Sequence, residues 1–360
     1  MGARAGSMGL RATCAWTGRP RPMATARRPS PRPTAGRPTA TRRRVTRATV
    51  LDARAPAPLA LRDGAGTAAE RLGVRKTYKL FIDGLFPRTE SGRSYLVHGA
   101  RGELLANACR GTRKDIRDAV RAARKAQPEW AAKSAFNRSQ VLYRIAELME
   151  GRRDQFVAEV MTAEGVGKQR ARRLVDAAID RWVWYAGWAD KFPQILGNVN
   201  PVAGSYFNFS TPEPTGVVGI IAAEDSALLG LVSRLAPVIV SGNAAVVIAS
   251  QTRPLPAITL AEVIATSDVP GGVVNVITGQ RPELVGHLAS HMDVNALDGF
   301  GLEAAAVTAA EEAATDNVKR FARPPSGGLN GYDWLAPAAQ SPYLIGEFVE
   351  IKTVWHPIGV

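Results

Sequence analysis

The sequence predicts an α/β fold with a doubly wound parallel sheet inside residues 77–322. Three apolar runs, VVGIIAA, NAAVVIAS and VVNVITG, alternate with the helical segments LLGLVSRLAPVIVSG and PAITLAEVIATS. Continuous Val/Ile runs are typical of strands buried on both faces, and strand–helix–strand repetition places helices on both sides of a parallel sheet. A sheet of this Rossmann-like type binds nucleotides at the carboxyl ends of its strands.

The segment that precedes this sheet predicts two strand pairs. In TYKLFIDGLFPR, alternating apolar residues lead into Asp83-Gly84, which is a typical hairpin turn pair. The stretch SYLVHGARGELLANACRG predicts a second pair that turns at a glycine. After Gly197, the alternating stretch up to residue 213 predicts a further hairpin, at about 198–213.

Three helices are expected between the strand pairs and the sheet. Asp115 is expected to open the first, and Asn137 or Ser139 to cap a second one that continues to residue 165. The third is predicted from about Gln169 to Ala189. Four large aromatic side chains on this third helix are expected to pack in the core, with ligand stacking as the alternative: Trp182, Trp184, Tyr185 and Trp188.

The positive charge of the chain is concentrated at its beginning. The net charge is +14, yet residues 1–75 hold sixteen arginines and three acids, and the remainder has 30 basic and 29 acidic side chains. This Arg/Pro/Ala-rich segment has too little apolar surface to form a core, so disorder is expected. Four origins remain open: translation from a wrong start codon, a solvated tail, an arm for nucleic acid or a membrane surface, and an organellar transit peptide. No apolar run follows that suits an export signal, and none approaches the ~18 residues of a membrane span.

Cysteines and histidines give little support for a metal centre or a disulfide. The two cysteines are Cys14 in the basic tail and Cys109 in the predicted fold, which suits a reducing cytoplasm. His287 and His291 are four residues apart, but no third ligand lies near them in sequence. No metal site is therefore expected.

Several motifs resemble the aldehyde dehydrogenase superfamily in order and spacing. They are KLFIDG, EPTGVVGII, LAPVIVSGNAAVV, VPGGVVNVITG and LASHMDVNAL, and the terminal FVEIKTVWHPIGV resembles the strand that completes an oligomerisation sheet with a neighbouring subunit. Between these parts the family carries a catalytic domain, whereas this chain has the 25 residues RPPSGGLNGYDWLAPAAQSPYLIGE. The resemblance implies an internal deletion, with residues 323–346 as a linker in place of that domain and 347–360 as the oligomerisation strand.

The resemblance also implies that each catalytic position is altered. The family's nucleophilic cysteine has no counterpart, because Cys109 lies in an early predicted strand with nothing beside it to activate a thiolate. Asp225 occupies the place of the oxyanion-binding asparagine, and an ionised carboxylate cannot donate a hydrogen bond. The family's glutamate base falls near Arg323. No catalytic residue is therefore assigned.

The cofactor implied by the resemblance is NAD or NADP. Ile248 and Ala249 replace a Lys-Pro pair, and losing one charge-assisted hydrogen bond costs about 1.5–3 kcal/mol. The GFGLEA stretch fits a dinucleotide pattern weakly, because Glu303 crowds the following helix, and a plain tight turn is the alternative. The positions implied for cofactor binding are Ile221, Ala222, Glu224, Ser250, Gln251, Gly279 and Gly301.

Four hypotheses for function follow. The first is a non-catalytic family member that forms a homo- or hetero-oligomer with a complete aldehyde dehydrogenase. The second is a weak NAD(P)-binding protein, and the third is a decayed gene product without stable function. The fourth is nucleic-acid binding through the basic tail, which the near-neutral remainder of the chain disfavours.

Overall fold

The computed structural model describes residues 74–326, 328–329 and 331–359. The predicted tail therefore lies outside the described residues except for its last two positions. The strands are β1 (Thr77–Tyr78), β2 (Ser94–His98), β3 (Leu104–Cys109), β4 (Asn198–Asn200), β5 (Tyr206–Pro214), β6 (Val217–Ile221), β7 (Ala244–Ile248), β8 (Val274–Ile277), β9 (Ala296–Asp298), β10 (Arg320–Ala322) and β11 (Val349–Pro357). The helices are α1 (Arg113–Ala132), α2 (Ala135–Gly151), α3 (Arg153–Glu164), α4 (Lys168–Ala186), α5 (Phe192–Leu196), α6 (Leu229–Val240), α7 (Leu255–Ile264), α8 (Arg281–Ala289), α9 (Ala304–Ala314) and α10 (Tyr343–Gly346).

A five-stranded parallel sheet forms the centre of the fold, in the order β10-β9-β6-β7-β8. Strands β6 and β7 are buried throughout, and Ile221, Ile248 and Ile277 pair with one another across three strands. Alternate residues of β7 contribute to two apolar clusters, one with α6 and α7 and the other with α1 and α8. The sheet is therefore covered on both faces, and the predicted doubly wound fold is confirmed.

A small sheet in the order β1-β3-β2 precedes the helices. The predicted turn is present, because Asp83 and Gly84 have φ of 53° and 75° and the flanking residues Ile82 and Leu85 exchange two backbone hydrogen bonds. The predicted strand before the turn is shorter than expected. Only β1 joins the small sheet, and Phe81 instead bridges antiparallel to β8 of the central sheet.

The predicted starts of two helices were wrong. Thr112 caps α1, its side chain accepts a hydrogen bond from the Asp115 backbone, and the Asp115 carboxylate accepts one from the Thr112 backbone. Asp115 is therefore the third residue of the helix and belongs to a capping box. Ser134 caps α2, ahead of the residues predicted to do so. The expected long helix is divided at Arg152 into α2 and α3.

A third sheet, in the order β11-β5-β4, forms an arm. Strand β4 pairs antiparallel with β5, as the hairpin prediction requires. Strand β11 pairs antiparallel with β5 along its full length, from the Val349–Pro214 pair to the Pro357–Tyr206 pair. The terminal strand thus forms its ladder with a strand of its own chain, and it lies at an edge of this sheet.

The segment predicted as a linker packs against the folded part of the chain. Trp334 is 6% exposed, and its carbonyl oxygen accepts a hydrogen bond from the buried Arg181 side chain of α4. The Tyr185 hydroxyl donates to the Ser341 carbonyl oxygen at 3.3 Å. This segment therefore covers α4 and α6, and it leads through α10 into β11.

Candidate nucleotide site

A cleft opens at the carboxyl ends of the central strands. The sheet reverses its order at β6, since the chain proceeds to β7 and β8 on one side and returns to β9 and β10 on the other. Parallel sheets bind ligands in the crevice at such a switch point. The cleft has a volume of about 670 Å³. Its walls come from the turns after three strands, β6, β7 and β9, and from the helices α8 and α9: Glu224, Asp225, Gln251, Thr252, Arg253, Arg281, Pro282, Val285, Leu302, Glu303 and Ala306.

The Glu224 carboxylate is held by donors from the turn after β7. The Ser250 hydroxyl lies 2.7 Å from Oε2, the Gln251 backbone nitrogen 2.7 Å from Oε1, and the Thr252 hydroxyl 2.6 Å from Oε2. Arg281 Nε lies 2.8 Å from Oε1. The three hydrogen-bond donors form a nest for an anion, the Arg281 guanidinium adds a positive charge beside it, and the chain's own carboxylate fills it.

This environment keeps Glu224 ionised. Burial alone raises the pKa of a carboxyl group, but the Arg281 guanidinium and the hydrogen bonds from Thr252, Ser250 and Gln251 outweigh it, so the pKa of Glu224 is lowered. Arg281 and Thr252 were not among the predicted site residues, because nothing in the local sequence pattern links the start of α8 to the turn after β7.

Three of the predicted cofactor positions, Glu224, Ser250 and Gln251, meet around this nest. Three other predicted positions, Ile221, Ala222 and Gly301, meet one another through backbone atoms at the end of β6. Gly301 lies so close to the end of β6 that a Cβ atom there would stand 2.6 Å from the Ala222 carbonyl carbon and would overlap the Ile221 carbonyl oxygen.

Gly279 packs away from the cleft. A Cβ atom at this position would stand 3.0 Å from the Gly111 backbone nitrogen and 2.9 Å from the Leu284 side chain. This packing gives Gly279 a structural reason for lacking a side chain. Ile248, which stands at the expected lysine position, is fully buried at the end of β7 and offers no group to the cleft.

Asp225 faces the segment that follows β10. The Trp334 indole nitrogen donates to Asp225 Oδ2 at 3.1 Å, so this carboxylate accepts a hydrogen bond at the position where the resemblance implies a donor. The Trp334 ring forms an aromatic cluster with Phe300 and Tyr332, with centroid separations between 4.8 and 5.5 Å. This cluster was not predictable from the sequence, because its three residues come from two separate turns.

A buried ion pair fixes the base of the aromatic cluster. Arg234 on α6 is paired with Asp298 at the end of β9 at 2.7 Å, and both side chains are buried. The same guanidinium binds Glu347, two residues before β11, at 2.6 Å, and it lies 4.5 Å from the Phe300 ring centroid. Arg234 therefore links the end of β9 in the central sheet, the Phe300 ring of the aromatic cluster and the residues just before the arm strand β11.

Cys109 lies on β3, apart from the cleft. It is 2% exposed, and its carbonyl oxygen accepts a hydrogen bond from the Thr278 hydroxyl at 2.7 Å. Near the expected position of the base, Arg323 pairs with Glu311 on α9. Within the residues described above, no group of three or more potential metal ligands occurs, and no helix is long and apolar enough to cross a membrane.

Comparisons with known proteins agree with this architecture. The model of the "Aldehyde dehydrogenase family" matches residues 88–327. The chain is 34% identical over 228 residues to a putative aldehyde dehydrogenase, DhaS, of Bacillus subtilis, covering 62% of this chain and 45% of the relative. It is 32% identical over 252 residues to human retinal dehydrogenase 2, covering 68% and 48%. The chain thus spans about half the length of the curated relatives it matches.

Solved structures show the same fold. An aldehyde dehydrogenase from Bacillus cereus in complex with NAD+ superposes with a TM-score of 0.64 at 25% identity, covering 68% of this chain and 50% of that one. HpcC from Thermus thermophilus superposes with a TM-score of 0.65 at 29% identity, covering 68% and 47%. A central sheet with this strand order, joined to a three-stranded arm and matched by the family model over most of the chain, identifies the protein as a member of the aldehyde dehydrogenase family.

Proposed function

We propose that this chain is a non-catalytic aldehyde dehydrogenase family protein that serves as a subunit beside a complete family member. The family reaction is the NAD(P)-dependent oxidation of an aldehyde to an acid. It requires a thiolate nucleophile, donors for an oxyanion and a base. Cys109 is the one cysteine in the family-like part of the sequence, so it is the one candidate for the nucleophile. Its position in the fold is the observation that carries the proposal.

A buried Cys109 cannot perform the family's first step. Its side chain packs in the apolar cluster beneath α1, with Ile116 and Ala119 in the same cluster. A catalytic thiolate needs access to substrate and a cationic or helix-terminal neighbour that stabilises it. The strand position of Cys109 gives it neither.

The oxyanion position is equally unsuited to the reaction. Asp225 presents a carboxylate, and its Oδ2 already accepts the Trp334 indole N–H. A carboxylate at this point repels a developing negative charge, and a partner subunit cannot change that side chain.

The arm supports the role as a subunit. Several of its apolar side chains are exposed, including Trp355 at 58% and Ile351 at 50% on β11, and Tyr206 on β5. An edge strand with exposed apolar groups is a template for pairing with another chain. We infer that this arm joins the chain to a complete family member or to a second copy. Because the sequence has only two cysteines, we also propose that the protein acts in the reducing cytoplasm.

Co-expression tests the subunit role. The tagged chain is expressed with an untagged complete aldehyde dehydrogenase from the same source, and the expected result is co-purification in a fixed ratio. The double variant Ile351→Lys/Trp355→Lys should abolish the complex. Leu96→Lys, an equally exposed position on β2, should leave it intact. A chain that purifies alone and monomeric would contradict the proposal, and aggregation on its own would favour a decayed gene product.

Nucleotide binding without catalysis is the second candidate. The cleft at the switch point of the sheet supports it, because two of the positions implied for NAD or NADP binding, Glu224 and Gln251, line that cleft and a third, Ser250, donates a hydrogen bond to Glu224. Calorimetric titration with each of the two cofactors tests this candidate, and silence for both would refute it.

A further inference from the structure

We propose that a groove between the start of α1 and the end of α8 binds an acidic segment of a partner polypeptide. The groove shares no lining residue with the nucleotide cleft, and it contains no part of the arm, so the inference goes beyond the proposed function. It rests on three features of the groove: an excess of positive charge, hydrogen-bond donors on the facing wall, and an apolar floor.

The groove consists of two connected hollows. The larger has a volume of about 590 Å³ and the smaller about 200 Å³, and both are lined by Thr112, Arg113 and His287. The first turns of α1 form one wall, and the last turn of α8 with the residues after it forms the other. The larger hollow alone lies within the ~300–1,000 Å³ of small-molecule sites, so it has room for a few side chains of a peptide.

The outer face of α1 is strongly basic. The helix contains six basic and three acidic residues, and one of the acids, Asp115, is buried in the capping box. Arg113, Arg117 and Arg121 follow one another at intervals of four residues, which places them along one side of the helix. Because the chain after residue 75 is nearly neutral as a whole, this face is a local excess of positive charge that attracts an anionic partner.

The chain's own acids neutralise only some of the cations that line the groove. Two ion pairs lie at its edges, Lys114 with Glu90 and Arg110 with Glu283. Within the part of the chain that the structure describes, the guanidinium groups of Arg93 and Arg113 have neither a hydrogen bond nor an ion pair. A guanidinium group binds a carboxylate through two parallel hydrogen bonds, so these two side chains suit the carboxylates of a partner.

The facing wall adds two histidine rings, those of His287 and His291. Burial lowers the pKa of His291, and the nearby Lys319 and Arg124 lower it further against the opposing effect of Asp293, so the ring is neutral at pH 7. Its Nδ1 accepts a hydrogen bond from the Asp293 backbone nitrogen at 3.2 Å, so Nε2 carries the proton. This wall therefore offers a hydrogen-bond donor to a carboxylate without adding a full charge.

The floor of the groove is apolar. Ile116 and Met292 line the larger hollow, and the Met292 side chain is 62% exposed. Methionine side chains make adaptable contacts at surfaces that bind peptides. None of the described residues that line the two hollows is aromatic, so a nucleic-acid base has no ring on which to stack. An acidic peptide that also carries an apolar side chain is the ligand that matches both the cations and Met292.

Fluorescence anisotropy of labelled ligands with the full chain tests this inference. The first ligand is a short peptide of alternating glutamate and leucine, the second has serine in place of each leucine, and the third is a single-stranded oligonucleotide of equal charge. The leucine peptide should bind at least about threefold tighter than the serine peptide, because a leucine side chain is partly buried against Met292. Met292→Ser should remove this preference. An oligonucleotide that binds tighter than the leucine peptide, and loses its affinity in Arg113→Glu/Arg117→Glu, would assign the groove to nucleic acid and overturn the inference.

Two double variants with the same change in net charge locate the site. Arg113→Glu/Arg117→Glu should weaken binding of the leucine peptide by at least about tenfold. Arg170→Glu/Arg173→Glu, at exposed positions on α4, is the matched control and should leave the affinity within about twofold of the wild type. The basic tail is the same in both variants, so its contribution to binding cancels in the comparison. Equal affinities of the two variants would show that the peptide is held by the general charge of the chain, and they would contradict the inference.

Two further measurements complete the test. Thermal unfolding of each variant confirms that it is folded. The arm variant Ile351→Lys/Trp355→Lys should bind the leucine peptide as the wild type does, because the groove and the arm have no residue in common. The groove and the role as a subunit therefore fail separately.

Discussion

Replacing Trp334 with alanine is expected to destabilise the folded chain by about 3–5 kcal/mol, the usual cost of deleting a buried tryptophan side chain. Trp334 is 6% exposed, contacts Gly230 and packs against the rings of Phe300 and Tyr332 in tilted and edge-on arrangements. Removing the ring leaves a cavity beside α6, and the loss of the hydrogen bond to Asp225 adds to the cost.

A second variant separates packing from hydrogen bonding. Trp334→Phe keeps most of the ring but removes the indole N–H, so it should cost roughly 1.5–3 kcal/mol, the range for a hydrogen bond to a charged group. Tyr343→Ala is the control in the same segment. This side chain is 69% exposed, and its loss should change stability by less than about 0.5 kcal/mol.

Urea unfolding followed by far-ultraviolet circular dichroism measures all three variants. The urea concentration at the unfolding midpoint should be highest for the wild type and Tyr343→Ala, lower for Trp334→Phe and lowest for Trp334→Ala. If Trp334→Ala loses less than about 1 kcal/mol, Trp334 does not hold the segment after β10 against the start of α6.

Three further predictions concern single side chains. Glu224→Gln should lower the free energy of unfolding near neutral pH, and this deficit should shrink as pH falls below about 4.5. A carboxyl group with a lowered pKa stabilises the fold above its unfolded pKa and loses that contribution as it protonates. Unfolding of the wild type and the variant at a series of pH values measures the difference. Asp298→Asn leaves the buried Arg234 without its one fully buried counter-charge and should cost about 3–5 kcal/mol in urea unfolding. A loss below about 1 kcal/mol would show that Glu347 alone compensates. Thr112→Ala removes the cap of α1 and should cost roughly 0.5–2 kcal/mol, with an unchanged midpoint as the contradicting result.

The central sheet was predictable from sequence because its strands are buried on both faces. VVGII and AAVVI are short, uninterrupted apolar runs rich in Val and Ile, which is typical of strands buried on both faces. The turn at Asp83-Gly84 was predictable because this pair tolerates the left-handed backbone that the turn requires. Strand β10 was missed, since three half-buried residues carry no periodic signal.

The candidate site was predictable only in part. Resemblance brought together Glu224, Ser250 and Gln251, and the structure places them in one nest. The Arg281 ion pair and the contact between Trp334 and Asp225 depend on tertiary packing between distant turns. No local pattern encodes such contacts.

NAD-dependent aldehyde oxidation by the purified chain tests the central claim most directly. The chain is incubated with NAD, then with NADP, and with short aliphatic and aromatic aldehydes, while the reduced cofactor is followed by its fluorescence. We predict no signal above that of a mock purification, because Cys109 is buried and Asp225 cannot bind an oxyanion. Turnover that is present in the wild type and abolished by Cys109→Ala would contradict the account.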